Sequence, residues 1–492
     1  MLEPDTPAVI IMAAPTSGLM VRESRPLSRP VNSHLSGFSS GTRPMTLKSR
    51  LLVGTAAALA LGCGAYLSLP SSAAAPSASS KAAAKTGDLA LKEAQRGEWS
   101  RWRGPNGDGI SAEKGLLSEW PEEGPPLAWQ ASGFGGGRSS VAISGGRIFT
   151  MGNKDGKCNV IAADVKDGSI LWSTPFSGGD PHCTPTVDGD LVFGLSLEGD
   201  LVCCETKTGK LVWQKSMSKD FGGRMHSGWG FSESPLVDGD LLICTPGGDK
   251  ALLAALNKKT GKVVWQTEVP EKLGDRGGDG AAYSSIVISH AAGVKQYVTL
   301  VGRGMVGVDA KTGKLLWHYN EVANGTANIP TPIVQGDYVF CSSGYNDGGT
   351  ALLKISKNGK ELTANEEYYF KSGEMQNHHG GMILLGDYVY MGHGHNNGFP
   401  LCVDLKTGKD AWRIEGGAGR GSAAIVYADG HFYFRYEDGI MALIEATPKE
   451  YRLKGKFKIK THNAESWPHP VIAGGKLYLR DQNDLLCYDI KK

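Results

Sequence analysis

The chain has almost no excess of either charge: 52 basic residues face 50 acidic ones, a net +2 over 492 residues. That removes the global field by which a protein attracts nucleic acid or an acidic membrane, so no nucleic-acid partner is expected. Cysteine is sparse, nine residues and an odd number, which excludes a disulfide scaffold. Cys158, Cys203, Cys244, Cys341, Cys402 and Cys487 lie within apolar runs and read as small buried core residues. There is no collagen period and no heptad. Motifs for a P-loop, a serine nucleophile elbow, a zinc protease and a Cys-x-x-Cys-His haem attachment are all missing. Glycine, by contrast, is abundant at 68 residues. Spread among short apolar runs, it signals many tight turns and an all-β protein.

The first part of the chain reads as targeting sequence, not fold. Residues 1–44 lack periodicity and are rich in Pro, Ser and Arg, as a disordered segment or a mis-assigned start would be. Met45 is followed by Lys48 and Arg50, then by an uncharged stretch from Leu51 to Leu69. A basic region before an apolar one is an export signal, so 45–75 reads as a signal peptide cut near Ser71–Ala75. Two alternatives stay open: a lipoprotein anchored at Cys63, after Ala60-Leu61-Gly62, or an uncleaved anchor. All three place the folded part in the periplasm or cell envelope, with membrane contact only through this anchor or lipid. Residues 76–98 read as a flexible linker, and 99–492 as one folded unit, expected to be a monomer.

That unit is built from a repeat. Thr-Gly-Lys-x-x-Trp occurs at Thr208–Trp213, Thr260–Trp265, Thr312–Trp317 and Thr407–Trp412, with looser copies at Asp167–Trp172 and Asn358–Leu362. Upstream of each lies a second turn of the Asp-Gly type, as at 188–190 and 238–240, followed by β-rich residues. One unit therefore reads strand A, Asp-Gly turn, strand B, loop, strand C, Thr-Gly-Lys turn, strand D with Trp, which is a four-stranded propeller blade. Eight strands A are expected, beginning near Ser139, Cys183, Glu233, Tyr283, Ile329, Gly380, Ser422 and His469. The last unit lacks a strand D, while the orphan strand around Trp129 precedes the first. Joining the two closes an eight-bladed β-propeller and removes both free sheet edges.

The form Val308-Asp309-Ala310-Lys311-Thr312-Gly313-Lys314-Leu315-Leu316-Trp317 resembles the pyrroloquinoline-quinone-like propeller repeat. That repeat occurs in quinoprotein alcohol dehydrogenases and in the outer-membrane assembly lipoprotein BamB. The opening Trp102-Arg-Gly-Pro-Asn-Gly-Asp-Gly109 is similar to the start of a large group of secreted bacterial members. The resemblance implies the fold; function must be argued from a site.

In such a ring the residues just before each strand A gather at the channel mouth. They are Arg138, His182, His226 with Trp229, Asp279, Asn328, His378 with His379, Arg420 and His469. His393 and His395 lie in the loop after strand B of the sixth unit. Three readings are open: polar groups that only hold the loops, a site for an anionic or polyhydroxylated ligand, or a transition-metal site at His378, His379, His393 and His395. The expected function is a ligand- or protein-binding scaffold, its partner a small polar molecule or another envelope protein. The alternative is a quinone-dependent dehydrogenase. The resemblance would then require pyrroloquinoline quinone, Ca²⁺ and a vicinal disulfide, for which Glu233, Asp279, Asn328 and the pair Cys203-Cys204 are the candidates. But Cys203 and Cys204 lie in a regular strand, where neighbours face opposite ways, so they are expected not to be bonded.

Overall fold

The computed structural model describes residues 97–492 apart from 463, 465 and 466; the expectations for the leader and most of the linker lie outside the described residues. The turn that gives the repeat its signature is held by its own side chains. Asp309 Oδ1 accepts from the backbone N–H of Lys311 (3.1 Å) and Thr312 (2.7 Å) and from Thr312 Oγ1 (2.8 Å). Asp404 does the same for Thr407, and Asn257 for Thr260. This is the local capping that Asx side chains give to turns.

Each turn joins strands C and D of a blade, and the residue before the Trp is bulged out of register. In blade 3 Leu256 pairs with Val263 and Ala255 with Trp265, leaving Val264 unpaired. In blade 2 Val212 is left out in the same way, and in blade 4 Leu316. A bulge re-aims the side chain that follows it. Here it turns the indole toward the next blade. A Cβ placed on Gly313 would lie 2.5 Å from the Trp265 ring, and one on Gly209 2.6 Å from that of Trp172. The glycine of one Thr-Gly-Lys turn is therefore the seat for the Trp of the preceding blade.

Blade 1 comprises β2 (Ala142–Ser144), β3 (Arg147–Lys154), β4 (Lys157–Asp164) and β5 (Ile170–Gly178). Blades 2 to 7 occupy 186–216, 236–266, 287–319, 333–371, 382–413 and 423–458. The eighth contains β30 (Val471–Ala473), β31 (Lys476–Asp481), β32 (Asp484–Asp489) and, on its outer edge, β1 (Leu127–Ser132). β1 pairs antiparallel with β32, Trp129 opposite Cys487 and Leu127 opposite Tyr488. Ala128 is left out between them, so β1 carries the same bulge before the same Trp and is the missing strand D. Trp129 seats on Gly168 as Trp172, Trp213 and Trp265 do on Gly209, Gly261 and Gly313. The fold is thus an eight-bladed β-propeller, nearly all β, closed as its repeats require. Among the described residues no helix is long and apolar enough to cross a membrane.

Cys203 and Cys204 are unbonded, and pack into different hydrophobic clusters on the two faces of their strand. Burial pushes the thiols up, to about 12 and about 11, which keeps them inert. The six cysteines read as core residues are all buried.

Residues 99–111 do something the repeat did not announce. Trp99 exchanges backbone hydrogen bonds with Ile143 in blade 1, and Val187 N–H of blade 2 donates to Ser100 O at 2.7 Å. The segment then reaches Thr331 before blade 5, Met382 in blade 6, Tyr427 in blade 7 and Ile472 in blade 8. It lies across the axis, bonded largely to the strands A themselves, and forms a plug below the connectors that precede them.

The indole seats give a direct test. Gly313→Ala should lower the unfolding free energy by about 1–3 kcal/mol, from overpacking against Trp265 and from the left-handed backbone at φ +74°. Gly336→Ala has a similar φ of +58° but nothing within 4 Å. Denaturant unfolding should show it losing clearly less; equal losses would mean the indole contact contributes nothing.

Candidate functional site

Above the plug lies a cavity of about 230 Å³ on the propeller axis. Trp102 and Arg103 form its floor. The Trp102 Nε1–H donates to Thr331 Oγ1 at 3.3 Å, and its ring meets that of His469 edge-on, centroids 4.4 Å apart. Arg103 is buried; one terminal nitrogen donates to Asp108 O and Met382 O, while Nη1 has no partner. On one wall the Arg138 guanidinium lies 4.2 Å from the Trp467 ring centroid, and its Nε too is without a partner. His182 stands beside it, its Nδ1 2.9 Å from Ser232 Oγ. Trp229, half exposed, meets Trp467 at the rim.

The opposite wall is a cluster from blades 6 and 7. His379 Nε2 is 2.9 Å from Glu437 Oε1. His378 Nδ1 is 2.7 Å from Ser422 Oγ, and its Nε2 is 3.2 Å from the Tyr345 hydroxyl. The Asn396 carboxamide bridges Ser422 and Glu437. His378, His379 and Glu437 each offer one ligand atom, and these lie within 4.8 Å of one another. Burial, then the nearby Arg138 charge, draws His182 down to about 4; burial, then Arg103, draws His469 down to about 3. His378 is lowered far more by burial, with His379 and His395 adding to it. At neutral pH His182, His378 and His469 are therefore neutral imidazoles, able to accept a hydrogen bond or ligate a metal.

Of the residues read from the connectors, Arg138, His182, Trp229, His378, His379 and His469 line the cavity. Four others do not. Asp279 is ion-paired with Arg303, and the Asn328 amide donates to Val301 O and Gly302 O. His226 packs against Tyr283, and Arg420 is exposed. Of the four-histidine set, three rings cluster, His378 lying 4.4 Å from His379 and 4.5 Å from His395 between centroids, and His393 stands apart. His393 is buried with Nε2 2.9 Å from Arg413 Nη1 and Nδ1 at the Gln376 backbone, because strand D of its own blade supplies that arginine. His395 packs its ring on Tyr345 and His378. Glu437, not His393 or His395, supplies the third ligand atom beside those of His378 and His379. It lies after strand B of blade 7, the same kind of position as His395 in blade 6, and could have been found by reading every such loop. Trp102 and Arg103 belong to a motif whose place in the ring the repeat does not reveal.

The quinone cofactor with its calcium does not fit this site. Glu233 is buried with Oε1 at the Thr245 N–H, and with Asp279 and Asn328 it lies outside the cavity lining. Glu437 is the one carboxylate among the described residues that line it. A calcium ion takes six to eight oxygens.

The comparisons agree with the fold. Tetrathionate hydrolase from Acidithiobacillus ferrooxidans is 25% identical over 343 residues, covering 66% of this chain and 54% of that protein. BamB from Burkholderia pseudomallei is 25% identical over 47% of this chain and 67% of its own length. The quinone alcohol dehydrogenase subunit of Gluconobacter oxydans is 30% identical over 50% of this chain and 35% of its own. The chain thus spans about half the length of the first relative and a third of the last. Among solved structures, the quinohemoprotein alcohol dehydrogenase from Comamonas testosteroni matches with TM-score 0.54 at 14% identity, over 82% of each chain. The designed protein Ika8 matches with TM-score 0.53 at 11% identity, over 74% of this chain and all of its own. The family profile described as outer membrane protein assembly factor BamB matches residues 122–194 and 159–414, more than half of the sequence, and the chain belongs to that family.

Proposed function

We propose that this chain is an extracytoplasmic binding propeller whose axial pocket takes a small anionic ligand. One observation carries the reading. Arg103 and Arg138 both line the cavity, and each keeps a buried nitrogen without a partner. A buried cation is costly unless paired, and the lining carboxylate, Glu437, already meets His379. An oxyanion or carboxylate would supply the charge-assisted hydrogen bonds these groups lack, while Trp102, Trp229 and Trp467 provide apolar walls. A relative named for tetrathionate, a sulfur oxyanion, accords with this. The extracytoplasmic location rests on the basic and apolar pattern after Met45 and on the family's name.

Titrating the protein with sulfate, tetrathionate, phosphate and small carboxylates tests the reading. At one hundred times its Kd a specific anion should stabilise the fold by about 2.7 kcal/mol. Arg138→Ala should remove that gain and Arg138→Lys keep part of it. Binding by none of these anions, or a gain that survives Arg138→Ala, would favour a protein partner instead. Pyrroloquinoline quinone belongs in the same panel. If it binds only with Ca²⁺ and then reduces a dye with alcohols, the dehydrogenase reading replaces this one.

A further inference from the structure

We propose that His378, His379 and Glu437 form a binding site for a divalent transition metal on the wall of the axial cavity. The three side chains come from two blades: the histidines from the connector entering blade 6, the glutamate from the loop after the second strand of blade 7. Their spacing suits a shared ion. Two donors about 2.1 Å from one metal and at right angles stand about 3 Å apart, and His379 Nε2 lies 2.9 Å from Glu437 Oε1. His378 completes the set within 4.8 Å.

Two further observations separate this cluster from an ordinary ion pair. The first is that the outer partners a metal site needs are already in place. Ser422 Oγ holds His378 Nδ1 at 2.7 Å, which fixes the ring and makes Nε2, 3.2 Å from the Tyr345 hydroxyl, the nitrogen an ion would take over from that contact. Asn396 bridges that same Ser422 to Glu437. Ligating histidines and carboxylates are oriented by such partners. The second is strain. Tyr345 and His395 are non-glycine residues held in left-handed backbone, at φ 66° and 53°. Their rings both pack on His378, with centroids 5.2 and 4.5 Å away. Such backbone costs about 1–3 kcal/mol per residue and persists where the surroundings require it. Here it clamps the imidazole whose position the site depends on.

Two imidazoles and one carboxylate suit Zn²⁺, Fe²⁺ or Mn²⁺ and leave coordination positions open. Those positions border the cavity that Arg138 also lines, so a bound ligand could meet metal and guanidinium together. The proposal does not rest on the anion reading, since it concerns binding of the ion alone.

The test is titration of chelator-stripped full-length protein with Co²⁺, followed by its visible d–d absorption, and with Zn²⁺ in competition. One equivalent should bind. Glu437→Gln, which keeps the side chain's shape, and His379→Ala should each weaken binding by about 100-fold or more, and Ser422→Ala by about 10-fold. His393→Ala should leave it unchanged, because that imidazole belongs to Arg413. Thermal unfolding of each variant separates loss of ligand from loss of fold, and Glu437→Gln alone suffices if the histidine variants do not fold. Absence of stoichiometric binding, or binding that survives Glu437→Gln, overturns the proposal.

Discussion

A chain cut to begin at Gly133 is expected to give no soluble monomer. The cut removes β1, leaving β32 with an open backbone edge, and exposed edges pair with other chains. It also removes the plug. Trp99, Leu116 and Trp120 are all buried in the cluster that joins blades 1, 7 and 8. Deleting large buried side chains costs about 2–5 kcal/mol each, so the three approach the whole stability margin of about 5–15 kcal/mol. Glu113 adds to the loss, because its carboxylate caps the turn between β30 and β31 through the N–H groups of Gly474 (2.8 Å) and Gly475 (3.0 Å). Size-exclusion chromatography and light scattering would show aggregate. A monomer melting with the full-length protein would mean that ring closure contributes nothing.

That dependence explains which features were legible in the sequence. The blades were, because an Asx-held turn and a bulge recur along the chain and four indoles, Trp129, Trp172, Trp213 and Trp265, each need a glycine one blade on. Trp265 and Gly313 lie far enough apart to be different blades and close enough to repeat. The closure was legible because a strand D was missing at one end and spare at the other. Trp317 shows where the pattern fails. The copy after it, Asn358-Gly359, seats no ring; the indole turns inward and its N–H donates to Gln296.

The site was only half legible for a related reason. Connector residues inherit their place from the repeat, so Arg138, His182, His378, His379 and His469 could be gathered on one mouth. Whether a side chain in that ring turns toward the axis depends on its immediate partners, and no repeat encodes those. Arg303 takes Asp279 away, and Arg413 takes His393. Glu437 comes from a loop after strand B, a recurring position outside the connectors, and Trp102 from a leading segment that carries no periodic signal at all.

The joint between blades 7 and 8 supports the second large prediction. Arg435 is fully buried and reaches from the second strand of blade 7 into the last blade. It donates to Pro468 O (3.0 Å), Arg480 O (2.6 Å) and Asp481 Oδ1 (3.0 Å). Asp481 is itself almost entirely buried. Removing one member of such a pair leaves the other charge in low dielectric, at a cost of about 3–5 kcal/mol. Arg435→Met is therefore expected to lower the unfolding free energy by that amount, and adding Asp481→Asn should recover part of it, because the stranded charge goes with the aspartate. The effect should reach the pocket too. Pro468 lies between Trp467 and His469, both of which line the cavity, so the arginine holds the backbone that carries them. Anion binding, measured well below the variant's unfolding transition, should weaken in Arg435→Met and stay weak in the double variant, which restores charge balance but not the bond to Pro468. Recovery of binding together with stability would show that the joint acts on the pocket only through the global fold.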